Sequence, residues 1–246
     1  MQLLLISIFI VLAILLVYYA IKNREGMVSA KKLPSPNIVL LGDYRFHQPK
    51  IGQYPSLKEI IKNKYPLANV RVLTNDCPMI NNINSFINNI PSNLNNQNTT
   101  IFVSIGENDI YKNLLNCYSN KEVKGSESKL LACNKTTSIF NEWGKEISEL
   151  IEKFNKCKIV ILGSYLPKLG SNIPVCKHKV TIDKNIDEDL DYWNVNVSEY
   201  AKNKNVSFLP IDKIIGENSY EKDGLTIKKP SLKKLINMIL SEIKSY

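Results

Sequence analysis

Side chains that commonly carry catalysis or bind metal ions are scarce in this chain. Its 246 residues include two histidines, His47 and His178, and five cysteines. Cys176 and His178 offer at most two ligands within one short stretch, whereas zinc sites use three or four protein ligands. We therefore predict no bound metal and no cofactor, and we interpret both histidines as surface residues.

The cysteines also lack the even count and close spacing of a disulfide-stabilised secreted domain. An odd number without a tight framework is typical of a reducing compartment. We therefore expect reduced thiols, with a bridge between Cys117 and Cys133 only if the domain faces outward. Asn-x-Ser/Thr sequons arise by chance in so asparagine-rich a chain and do not change this expectation. The cysteines are Cys77, Cys117, Cys133, Cys157 and Cys176, and the sequons begin at Asn98, Asn134, Asn196 and Asn205.

Positive charge is in excess but is not concentrated. The formal net charge is +9, spread along the chain, and 44% of the residues are hydrophobic, which is ordinary for a globular protein. No nucleic-acid motif and no basic stripe with interleaved aromatics is present, so we expect no nucleic-acid partner. A basic surface can also meet anionic lipid. The densest late cluster is Lys228, Lys229, Lys233 and Lys234.

Long apolar runs are confined to the N-terminus. Leu3–Ile21 contains one polar residue, Ser7, and as a helix it would span about 28 Å, close to the hydrocarbon thickness of a bilayer. No basic side chain precedes the run, unlike in a secretory signal, so we predict a retained single-pass anchor over residues 1–21. A linker follows over 22–36. Its positive flank favours a cytoplasmic domain; the basic residues are Lys22, Arg24, Lys31 and Lys32.

Strand and helix patterns alternate through residues 37–246. A capping box at Ser56 and Glu59 opens one helix, and Pro230 lies in the first turn of the last helix. We predict a polar insertion over 117–136 and a long loop over 163–184. Alternation of this kind indicates a parallel sheet covered on both faces. The predicted strands are Asn37–Leu41, Val70–Leu73, Ile101–Ile105, Lys158–Leu162 and Val206–Leu209.

Two of these strands end in polar turns. Gly42-Asp43-Tyr44 follows the first strand, and Gly106-Glu107-Asn108-Asp109 follows the third. Because ligands bind at the carboxyl ends of the strands in open parallel sheets, we expect the two turns to converge on one site.

These turns, together with Asp223-Gly224-Leu225-Thr226 ahead of the last helix, resemble the first, third and fifth sequence blocks of the SGNH/GDSL hydrolases. The resemblance implies a three-layer α/β/α domain with a five-stranded parallel sheet of the flavodoxin-like type. In that family a serine attacks the ester, a histidine takes its proton and an aspartate orients the histidine. The oxyanion is held by the serine amide, a glycine amide of the second block and an asparagine side chain.

At three of these positions the aligned residue differs from the one that the family's mechanism needs. Tyr44 replaces the nucleophilic serine, and a phenol with a pKa near 10 is a poor nucleophile without a base. Cys77 aligns with the second-block glycine, and we expect it to be a packed, inert thiol.

The last block leaves two alignments open. Thr226 takes the histidine position without gaps, and Lys229 takes it if the block is aligned on Pro230. Neither is a base suited to neutral pH, so Asp223 has no imidazole to orient. Asn108 retains the oxyanion donor, and Asp43 and Gly106 retain the turn residues.

We therefore predict a membrane-anchored, catalytically inactive SGNH-like protein that serves as a binding or structural module for a glycan, a lipid or a protein. The alternative is an active esterase with a relocated apparatus. That apparatus would use His47 as base, Asn108 as oxyanion donor, and Ser104, Cys77 or Tyr44 as nucleophile.

Overall fold

The structure is a computed structural model in which Ser35–Ser245 form one compact unit. It describes residues 35–42, 56–75, 77–119, 136–164, 168–175, 178–181, 184–219 and 227–243. The predicted anchor over 1–21, nearly all of the predicted linker and most of the predicted insertion lie outside these ranges. Among the helices within them, none combines the length and the apolar character needed to cross a bilayer.

Five parallel strands form the central sheet, as predicted. Their spatial order is β2-β1-β3-β4-β7, the order of a flavodoxin-like sheet. The register pairs Asn37 of β1 with both Asn69 of β2 and Thr99 of β3. The strands are β1 (Asn37–Gly42), β2 (Asn69–Thr74), β3 (Thr99–Ser104), β4 (Lys158–Leu162) and β7 (Ser207–Leu209).

Helices cover both faces of the sheet. The longer helices carry an apolar stripe, and the capping box predicted at Ser56 is present: Glu59 N–H donates to Ser56 Oγ at 3.2 Å, and Ser56 N–H donates to Glu59 Oε2 at 2.7 Å. The helices are α1 (Leu57–Lys64), α2 (Ile83–Asn88), α3 (Glu107–Ser119), α4 (Thr136–Lys153), α5 (Lys184–Asn203) and α6 (Lys229–Glu242). Single 3₁₀ turns span Ile80–Asn82, Ser92–Leu94, Ile211–Lys213 and Glu217–Ser219.

Alternation along the central strands divides the core into two layers. Val39 and Leu41 of β1 point to one face, where α2, α3, α4 and α5 pack, and Ile38 and Leu40 point to the other, where α1 and α6 pack. All four are fully buried. A strand buried on both faces reads as a continuous apolar run, which is how β1 and β3 read in the sequence. The three-layer α/β/α architecture is confirmed.

The segment predicted as a long loop contains a hairpin. Strands β5 (Asn172–Val175) and β6 (His178–Thr181) pair antiparallel, with Asn172 opposite Thr181 and Val175 opposite His178. Ile173, Val175 and Val180 are β-branched and favour strands. Pro174 had argued for a loop, yet proline is tolerated here because each strand of an isolated pair has a free edge.

Candidate functional site

The first site loop starts at Gly42, the last residue of β1. Its φ is +106°, a left-handed conformation that favours glycine, and a Cβ there would overlap the Ser104 carbonyl oxygen. Thr74 Oγ1 donates to the Gly42 carbonyl and ties the ends of β1 and β2 together. The glycine therefore turns the chain sharply at the carboxyl edge of the sheet.

Gly106 makes the corresponding turn after β3. Its φ is +113°, and a Cβ there would lie 2.5 Å from Trp193 Cζ2. Trp193 is buried against Trp143, with ring centroids 5.6 Å apart. The indole of α5 thus rests directly on the backbone of Gly106, and α3 begins at the next residue. This packing fixes Asn108 and Asp109 in the first turn of α3.

The loop after β2 is held by asparagine side chains. Asn75 Oδ1 accepts from the Cys77 backbone N–H at 3.0 Å, and Asn82 Oδ1 accepts from the Met79 N–H at 2.9 Å. Asn75 Nδ2 also donates to Asn82 Oδ1 at 3.2 Å. The amide that the family resemblance assigns to the oxyanion hole, that of Cys77, is therefore already bonded within its own loop.

Two further hydrogen bonds join this loop to α3. Asn108 Nδ2 donates to the Pro78 carbonyl at 3.0 Å, and Asp109 Oδ2 accepts from the Ile80 N–H at 2.9 Å. These bonds place the loop after β2 against the first turn of α3. The convergence predicted from the sequence was that of the turns after β1 and β3, and Asp43 and Tyr44 of the first turn lie outside the described residues. The side chain expected to stabilise an oxyanion thus uses one of its two donor hydrogens on a backbone carbonyl.

Asp109 has an unusual protonation equilibrium for a carboxyl group. Burial, the largest cause, and the nearby negative charge of Glu142 together raise its pKa from 3.8 to about 6, although the hydrogen bond from Ile80 and the charge of Lys112 act to lower it. A carboxyl with this pKa, placed beside the loop after β2, can hold or release a proton close to neutral pH. The sequence motif included Asp109 but gave no indication of its desolvation.

The structure leaves part of the predicted site undescribed. Asp43, Tyr44, His47, Asp223 and Thr226 all lie outside the described residues. The alternative histidine position, Lys229, is the first residue of α6 and is exposed.

The expectation of a reduced, inert thiol at Cys77 is wrong. Cys77 is disulfide-bonded, whereas Cys157 is a free, half-buried thiol. A disulfide consumes the sulfur that a relocated nucleophile would need. Within the described ranges, His, Cys, Asp and Glu nowhere form a group of three that could hold a metal ion.

A polar contact that the sequence did not reveal shapes the loop after β4. Asn194 of α5 is buried, its Oδ1 accepts from the Ser164 N–H at 2.7 Å and its Nδ2 donates to the Ser164 carbonyl at 2.8 Å. The side-chain amide thereby satisfies both backbone groups of a buried residue. The asparagine within Trp193-Asn194-Val195-Asn196 was the available signal, but its partner lies thirty residues away.

Comparison with solved structures identifies the fold. The chain is similar to a lipase/acylhydrolase from Enterococcus faecalis, with a TM-score of 0.53 and 14% identity over 85% of this chain and 95% of the other. It is also similar to a putative GDSL-like lipase from Parabacteroides merdae, with a TM-score of 0.55 and 12% identity over 85% and 95% of the two chains. A GDSL-family lipolytic protein from Veillonella parvula gives a TM-score of 0.53 and 15% identity over 83% and 96%.

These likenesses show that the chain has an SGNH/GDSL hydrolase-like fold, as the sequence blocks predicted. No protein-family model matches the sequence, and no curated protein matches it. At identities of 15% or below, the similarity concerns the fold and not the chemistry of the site.

Proposed function

We propose that this protein is a membrane-anchored SGNH-fold module that binds a ligand or partner at the carboxyl edge of its sheet without hydrolysing esters. The observation that carries this proposal is that one amide expected in the oxyanion hole is bonded internally, and that the asparagine expected there gives one of its two donor hydrogens to a backbone carbonyl. The Cys77 amide donates to Asn75, and the Asn108 side chain donates to Pro78. Loss of one oxyanion donor typically reduces kcat by about 10²–10³-fold.

The residues at the remaining positions support the same proposal. Tyr44 stands where the family has its serine, and Thr226 or Lys229 stands where it has its histidine. Without an imidazole, no base of suitable pKa is assigned to take the nucleophile's proton. The ligand classes we propose for the module are a glycan, a lipid or a protein, and neighbours named as lipases make an acyl chain the first class to test.

Ester hydrolysis by the full-length chain tests the proposal. With p-nitrophenyl acetate at pH 8, we expect no rate above that of buffer. The double variant Tyr44→Ser/Thr226→His restores a nucleophile and a base, and adding Asn75→Ala releases the Cys77 amide. Because general acid–base catalysis contributes about 10²–10⁴-fold, we expect the triple variant to show turnover that the parent lacks.

A parallel variant with Lys229→His in place of Thr226→His separates the two alignments of the last block. Parent turnover that disappears with Asn108→Ala would contradict the proposal.

A second candidate function is an active hydrolase with an unconventional site. The observation in its favour is Asp109, a carboxyl with a pKa of about 6 beside Asn108. If the parent chain hydrolyses the ester and Asp109→Asn removes both the activity and its pH dependence near 6, this second function replaces the first.

A further inference from the structure

A cleft of about 480 Å³ lies between α5 and the edge strand β7 and extends to the residues that follow the carboxyl end of β7. Its size is in the range of small-ligand sites. The residues that line it do not include Gly42, Cys77, Gly106 or Asn108. The lining residues are Asp191, Asn194, Val195, Ser198, Glu199, Lys202, Val206, Phe208, Pro210, Asp212 and Lys213.

Asp212 is the unusual group in this cleft. Its side chain is 4% exposed, and its Oδ1 is buried and makes no hydrogen bond with any described residue. Its Oδ2 is 3.1 Å from Lys213 Nζ, whose side chain is 73% exposed. A buried carboxylate oxygen without a donor is unfavourable, and an ion pair with an exposed lysine compensates little. Asp212 therefore lacks a hydrogen-bond donor that a ligand could supply.

The charges around Asp212 define what that donor must be. Asp191 is close enough to contribute, after Asp212, to the raised pKa of Lys213, so two carboxylates and one ammonium meet at this end of the cleft. Glu199 and Lys202 lie three residues apart on α5, and their charges offset each other about 12–16 Å along the helix from Asp191. The Asp212 end thus has a net negative charge in a chain whose overall charge is positive.

Apolar groups continue the cleft beyond the carboxylates. Phe208 of β7 lines the cleft together with Val206 and Pro210 on either side of that strand, and Val195 of α5, which is 51% exposed, lines it as well. A ligand held by its charge at Asp212 could therefore lay a hydrocarbon body along this wall.

We propose that the cleft binds a small ligand carrying a primary ammonium group on an apolar body, with the ammonium placed at Asp212 and Asp191. The ammonium supplies the donor that Asp212 Oδ1 lacks and balances the second carboxylate. The exposed Lys213 swings into solvent when the ligand enters. The proposal is independent of whether the strand-end site hydrolyses esters.

The test uses the full-length chain and two probes that differ in one group. By calorimetric titration at pH 7, we expect 6-amino-1-hexanol, which is an ammonium, to bind at least tenfold more tightly than the neutral 1,6-hexanediol. Asp212→Asn should weaken binding of the amine at least tenfold. Lys213→Met removes the resident cation and should tighten it severalfold. The matched control Glu152→Gln removes an exposed carboxylate from α4 and should change the Kd less than twofold.

Equal binding of amine and diol would overturn the proposal, as would an effect of Glu152→Gln as large as that of Asp212→Asn, because both indicate non-specific attraction. If Asp212→Asn does not fold, Asp191→Asn and Lys213→Met decide the matter. They must move the Kd of the amine in opposite directions, and any other result refutes the site.

Discussion

Asp109 shows how a single buried carboxyl can make the stability of the fold depend on pH. Its pKa is about 6 in the folded protein and near 3.8 when unfolded, so the folded state binds the extra proton between these values. Its stabilising contribution is complete below pH 3.8 and is lost as pH rises through 6. Asp109→Asn keeps an oxygen that can accept from Ile80 but removes this titration.

We expect the asparagine variant to lose the Asp109-linked fall in stability between pH 4 and 7. Above pH 6.5 it should be more stable than the parent, by up to roughly 2–3 kcal/mol from a shift of about two pKa units. Urea unfolding of both proteins across this range measures the difference. Glu142→Gln is the matched control, because it removes the neighbouring charge and should move the transition to lower pH. Parallel curves for parent and Asp109→Asn would show that the carboxyl is not desolvated.

Gly106 gives a second residue-scale prediction. An alanine there must adopt a positive φ and also displace the Trp193 ring, so we expect a loss of roughly 2–4 kcal/mol in unfolding free energy. Gly170 has a φ of +80° with nothing within 4 Å of a Cβ, so Gly170→Ala incurs only the backbone term, about 1 kcal/mol. Comparing the thermal unfolding of the two variants separates the cost of displacing the Trp193 ring from the cost of the positive φ. Equal losses would mean that Trp193 does not press on Gly106.

At the scale of elements, Asn194 connects α5 to the loop after β4. Replacing it with alanine leaves the N–H and carbonyl of Ser164 buried without partners, which we expect to cost roughly 2–4 kcal/mol. Asn196 lies on the same helix and makes an exposed bond to the Tyr192 carbonyl of that helix, so Asn196→Ala should change stability by less than about 0.5 kcal/mol. Chemical denaturation measures the unfolding free energies of the Asn194→Ala and Asn196→Ala variants. A small effect of Asn194→Ala would indicate that water replaces its amide.

The elements themselves were largely predictable, because their signals are local. Strand β1 is an uninterrupted apolar run, and the Ser56 capping box needs only four residues to be recognised. The hairpin β5–β6 was missed because its strands have four residues each and one contains Pro174. In the site, too, local features were predictable and contacts between loops were not. Turns at Gly42 and Gly106 were visible in the sequence, whereas the bonds from Cys77 to Asn75 and from Asn108 to Pro78 depend on how loops fold.

At the scale of the whole molecule, two features make opposite predictions about the side of a membrane on which the predicted anchor would leave the domain. The basic residues from Lys22 to Lys32 favour the cytoplasmic side, and that orientation stays a prediction. The disulfide at Cys77 favours an oxidising compartment. From the disulfide we predict that the domain lies in an oxidising compartment, and this orientation too is a prediction.

Expression of the full-length chain in eukaryotic cells tests the orientation. Asn205 begins a sequon and is exposed in the turn before β7. We expect a glycan there, seen as a loss of mass on endoglycosidase treatment that is smaller by one glycan in Asn205→Gln and unchanged in Asn203→Gln, which alters an exposed asparagine that begins no sequon. Absence of any glycan, together with rapid alkylation of Cys77 in intact cytosol, would establish the cytoplasmic orientation instead.

The two outer strands of the sheet bear on how the protein behaves when it is concentrated. A parallel sheet that ends in a long, flat, apolar strand invites a second molecule to add its own strand and begin a fibril. Here β7 offers only three residues, and β2 carries an exposed arginine, Arg71, in its centre. A second molecule has too little backbone to pair with at β7. At β2 its strand would have to desolvate the guanidinium of Arg71. The short length of β7 and the arginine at the centre of β2 therefore make the fold resist edge-to-edge polymerisation.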